Sequence, residues 1–134
     1  MSVNYLTVIV CAVASMIIGS LWYSPLLFGN IWMKLQGFSK KDMNKAKQAG
    51  MWKLYLAAFI GSLVTASVLG YLIDIVGKNV STGILLAFLA WLGFVATTLL
   101  GNVLWEGKSV AVYVLNILYY LVNLVVMGLI LGAW

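Results

Sequence analysis

Four stretches of this chain are each long and apolar enough to cross a lipid bilayer, and little remains once they are set aside. A hydrocarbon core roughly 30 Å thick takes about 20 residues of helix, and residues 3–23, 53–76, 82–105 and 110–132 each supply that length. No water is available there to satisfy backbone amides, so each stretch pairs its own amides as a helix. Charged residues are 8% of the chain, against about 25% in soluble domains. The expected fold is all-α: one integral membrane domain over residues 1–134, a four-helix transmembrane bundle. A short amphipathic interfacial segment and a basic cytoplasmic helix are expected between the first and second spans, over residues 25–50. The first span has no basic leader and no A-x-A-like cleavage site, and reads as a retained helix.

The residue inventory narrows the chemistry. All eight basic residues are lysine, so no guanidinium fork is available to clamp a phosphate or carboxylate, and nucleic acid is not an expected partner. Cys11 is the single cysteine and histidine is absent, which leaves no disulfide, no zinc site and no imidazole base. The hydroxyls Ser15, Ser20, Ser62, Ser67, Thr65, Thr97 and Thr98 have no base within the apolar segments to activate them. No catalytic residue, metal ligand or cofactor is assigned, and enzymatic activity is not expected.

Lysine is unevenly placed. Lys34, Lys40, Lys41, Lys45, Lys47 and Lys53 all lie between the first two spans, so this connection is expected on the cytoplasmic face of a multi-pass plasma-membrane protein, with both termini external. Trp22, Tyr23, Trp32, Trp52, Tyr55 and Trp105 gather at the same boundary, and Tyr5, Tyr71 and Trp134 at the other. Pro25 stops the first helix, Gly77 suits a C-terminal cap, and Ser81 or Thr82 suits the start of the third span. Asp74 and Lys78 are placed to pair one helical turn apart. Ser39–Asp42 matches a capping box ahead of a basic helix over 40–49.

In lipid, helices associate through close backbone approach and interhelical hydrogen bonds. Ala58, Ser62, Ala66 and Gly70 repeat every four residues on the second span, as do Cys11, Ser15 and Gly19 on the first and Gly93, Thr97 and Gly101 on the third. Beside the second span's stripe run Ala57, Gly61 and Thr65. The fourth span carries a polar and aromatic stripe, Tyr113, Asn116, Tyr120, Asn123 and Met127, whose amides are expected to face inward. Counted outward from the tight turn at 106–109, Asn102 falls beside Tyr113, Thr98 beside Asn116 and Trp91 beside Asn123. A polar seam, or a solute-facing wall, is expected there.

The run Trp22-Tyr23-Ser24-Pro25-Leu26-Leu27-Phe28-Gly29-Asn30-Ile31-Trp32 resembles the WYSP-x-LFG-x-x-W signature of a mainly prokaryotic membrane family, domain of unknown function 1761. Trp91-Leu92-Gly93-Phe94, Asn116 and Tyr119-Tyr120 extend the resemblance over nearly the whole chain. It implies the four-helix architecture and no particular activity. Physically, Trp22, Tyr23, Ser24, Pro25, Gly29 and Trp32 form an interfacial elbow that anchors the end of the first helix. A functional alternative is that the elbow seals the mouth of a cavity, with Ser24 and Asn30 as its polar lining.

The leading expectation is a noncatalytic membrane module that self-associates or binds a partner through its small-residue faces. Membrane lipids and a second copy of the chain are the partners expected. The alternative is an oligomeric channel or transporter for a small neutral or weakly polar solute. Proton-coupled cation exchange lacks its titratable group, since Asp74 and Glu106 both sit at helix ends.

Overall fold

The computed structural model describes residues 4–36, Lys41, Lys45 and residues 50–134. Four helices in it are long and apolar enough to span a membrane: α1 (Tyr5–Trp22), α3 (Trp52–Val76), α4 (Val80–Leu104) and α5 (Val110–Ala133). A short helix α2 (Gly29–Gln36) lies between α1 and α3. The described residues contain no strand. The capping box at 39–42 and the basic helix at 40–49 lie outside the described residues, apart from Lys41 and Lys45, which are helical and exposed.

Helix ends follow local chemistry. The Asn4 side chain accepts from Leu6 N at 3.0 Å, and the Ser109 hydroxyl from Ala111 N at 3.1 Å, each satisfying a donor that a helix start leaves free. The start of α4 is capped by Asn79, which accepts from Thr82 N at 2.8 Å, and not by Ser81 or Thr82. Gly77 ends α3 with φ +136°, a conformation open to glycine alone at low cost. That turn carries Lys78 off the helical face, so it does not pair with Asp74. Its ammonium donates to the backbone oxygen of Trp134 at 2.8 Å.

Helix α5 is the centre of the bundle and packs against α1, α3 and α4. Its closest neighbour is the first half of α4. A Cβ on Gly83 would collide with the Gly128 carbonyl, and one on Gly132 would lie 2.9 Å from the Asn79 carbonyl carbon. Gly128 thus meets Gly83 and Ala87, and Gly132 meets Asn79 and Val80, so two glycines four apart on α5 permit backbone contact and its dispersion energy. The core beside them contains Cys11, Ala66, Leu69, Ile73 and Met127, and the Cys11 thiol donates to the Met127 carbonyl at 3.9 Å. All of this lies in the half of the bundle away from the lysine-bearing connection.

The small-residue stripes divide by use. On α3, Ala66 and Gly70 are buried, and Ser62 donates to the Ser15 hydroxyl at 3.1 Å. Ala58, grouped with them in the sequence, is exposed, because α3 meets α4 chiefly beside Val80–Ala90 and diverges from it farther along. Gly61 and Gly93 have nothing within 4 Å of a Cβ. Gly93 and Thr97 are exposed, whereas Gly61 and Thr65 border the space between α3 and α4.

Candidate functional site

Where α3 and α4 diverge, the bundle holds a cleft in two adjoining lobes of about 460 and 620 Å³. Ser15, Ala58, Leu99, Tyr119 and Tyr120 border both lobes. Volumes of this order suit a small organic molecule. The floor comes from α1 and α5, and the sides come from α3 and α4.

The lobe nearer the connection is walled by Ser20, Tyr23, Asn102 and Asn116, with Trp32, Met33 and Met51 across its end. The elbow builds that end. Phe28 N donates to Trp22 O at 3.0 Å and Gly29 N to Ser24 O at 2.8 Å, so the chain folds back on itself directly after Pro25. Gly29 is required there: any Cβ would overlap the Tyr23 carbonyl and lie 2.6 Å from Ser24 C. The reversal sets Trp32 edge-on to Tyr23, with centroids 5.5 Å apart, and Trp22 on Phe28 at 4.7 Å. Tyr23 Oη donates to Asn116 Oδ1 at 2.6 Å, a bond between residues 93 apart that fastens the end of α1 to the first third of α5. Ser24 turns back to the Leu21 carbonyl at 2.7 Å, and Asn30 is exposed. Of the elbow's residues, Tyr23 and Trp32 line the cavity, and neither Ser24 nor Asn30 does.

The other lobe is bordered by Ser62, Thr65, Phe94, Val95, Thr98 and Asn123, among others. Its α4 wall contains a π-helical turn, Trp91–Ala96, which widens the helix and leaves carbonyls short of their usual partners. Three side chains bracket it: Trp91 Nε1 donates to Ile117 O at 2.6 Å, Tyr113 Oη to Ala96 O at 2.5 Å, and Thr97 Oγ1 to Gly93 O at 2.7 Å. The seam counted outward from the turn does not form in that register. Glycine contacts at the far end fix the hairpin, so Trp91 and Tyr113 reach backbone carbonyls while Asn116 bonds to α1. Asn102 shares a lobe with Asn116, and Thr98 shares one with Asn123.

Asn123 is 6% exposed, and its Oδ1 is buried with no hydrogen-bond partner among the described residues. An unpaired buried amide oxygen costs about 1–3 kcal/mol. Thr7 Oγ1 and Trp22 Nε1 share that condition, but neither lines the cleft. No charged residue borders either lobe, and the described residues contain no cluster of His, Cys, Asp or Glu that could hold a metal.

A family model described as "Protein of unknown function (DUF1761)" matches residues 6–132. The chain belongs to this family. Comparison with curated proteins and with solved structures found no match. The DUF1761 match takes in the elbow, the π-helical turn and the polar face of α5 together, so every wall of the cleft lies inside the family's boundaries. Two features escaped the sequence reading. The close contact of Gly128 and Gly132 with α4 and its cap was signalled by the Gly-x-x-x-Gly spacing in α5, whereas the π-helical turn has no sequence signal beyond its glycine.

Proposed function

We propose that this DUF1761 protein is a noncatalytic membrane module that receives a small, uncharged or weakly polar molecule in the cleft between α3 and α4. The observation that carries this reading is the uncharged polar lining of the cleft, with Asn123 in its wall. Amides and hydroxyls are costly inside a bilayer unless something completes them. Ser15, Tyr119, Tyr120 and Asn116 add hydroxyls and a second amide without adding charge, which suits a neutral occupant. In proteoliposomes, glycerol or urea flux above that of empty vesicles, lost in the Asn116→Leu/Asn123→Leu double variant, would support passage. Equilibrium binding without flux would support a holding role. Failure of both assays in the folded protein would refute the reading.

Self-association is favoured by a separate observation. Gly93 and Thr97 are exposed on α4 outside the cleft, and a Cβ on Gly93 would meet nothing within 4 Å; small residues on such a face allow helices of two copies to approach. Single-molecule photobleaching in nanodiscs reads the copy number directly. Strictly monomeric protein would exclude this second reading.

A further inference from the structure

We propose that the cleft is filled from the side, by a neutral single-chain amphiphile with a hydroxyl head that enters from the bilayer between α3 and α4. This rests on the cleft reading above and names its ligand class and route.

The route follows from the walls. α3 touches α4 beside Val80–Ala90 and stands apart from it along the cleft, so the opening faces outward from the bundle into the hydrocarbon. Its lips are Gly61, with open space around a Cβ, and Phe94, 76% exposed. Thr65, the hydroxyl nearest this edge of α3, is closed onto the Gly61 carbonyl at 3.0 Å. The lip therefore offers carbon surface, which an acyl chain matches and a hydrated solute does not. At the end near the connection, Trp32, Met33 and Met51 stand across the cavity.

The head group follows from what lies deeper. Ser15, Ser62 and Tyr119 line the lobe with hydroxyls that both donate and accept, and Asn123 stands beside them. A hydroxyl does both as well. A charged head would be left without a counter-ion, since the lining carries none.

The test uses the full chain in nanodiscs, with hexadecan-1-ol bearing a mid-chain diazirine as probe and its methyl ether as control. Irradiation is expected to tag the segments around Gly61 and Phe94, with the alcohol exceeding the ether by about fivefold, the worth of one hydrogen bond. Gly61→Trp, which meets open space in the structure, should plug the opening and remove labelling, while Gly93→Trp, equally open but outside the lining, should retain it. Equal labelling by alcohol and ether, undiminished labelling in Gly61→Trp, or a second copy cross-linked into the gap would overturn the proposal. Glycerol or urea bound in the cleft without alcohol labelling would overturn route and ligand class alone. Absence of every ligand would overturn the cleft reading too.

Discussion

At the scale of single residues, the bundle depends on a few positions where an added or removed atom has no slack. Gly128 is one: a Cβ there would lie 2.8 Å from Gly83 C and 3.0 Å from Ala87 Cβ, and both are parts of a packed helix that cannot yield. Gly128→Val is expected to destabilise the protein by at least about 2 kcal/mol, toward the upper end of overpacking effects, as measured by steric trapping in bicelles. Gly61→Ala, into open space, should stay within about 0.5 kcal/mol. Tyr23→Phe removes the donor to Asn116 and strands a half-buried amide oxygen. We expect a loss of about 1 kcal/mol in the same assay, and greater protease access at the elbow. An unchanged value would mean that the elbow is held by its aromatic contacts alone.

At the scale of elements, the π-helical turn of α4 decides which side chains reach α5. Its extra residue changes the rotation of everything after it by about 100° relative to an unbroken α-helix, so Thr98, Leu99 and Asn102 enter the cleft wall. Trp91 and Tyr113 hold the two ends of that turn through carbonyls on opposite helices. Because they stabilise one feature, their losses are expected not to add. A double-mutant cycle of Trp91→Phe and Tyr113→Phe should give a coupling of at least about 0.5 kcal/mol, the value that separates interacting from independent sites. Additive effects would show the turn to be held by packing on α5.

At the scale of the whole molecule, one half of the bundle is close-packed through glycine and alanine, and the other opens around hydroxyls and amides. With lysine at the open end, the positive-inside rule predicts that this end faces the cytoplasm. In a Cys11→Ala background, Lys41→Cys is expected to react with a membrane-impermeant maleimide in inside-out vesicles and not in intact cells. Reaction from outside would reverse the assignment. The spans themselves were readable in the sequence, with bounds within two residues of those observed where described, because a bilayer imposes length and hydropathy on each helix independently of its neighbours. The elbow was readable for a similar reason, since Pro25 and Gly29 act on the backbone beside them. The inward face of α5 was expected from its amides, but their partners were not. Asn116 bonds to Tyr23 on α1, Tyr113 to a carbonyl in a π-helical turn, and Asn123 Oδ1 has no partner among the described residues. Residue order alone determined four membrane-length helices, their ends and the inventory of uncharged polar groups, all set by local chemistry and by the solvent. Which helices touch, and where they part to leave a cleft, was decided only in the tertiary structure, because register and divergence depend on the close approach of Gly83 to Gly128 and Asn79 to Gly132, contacts between segments far apart in the chain.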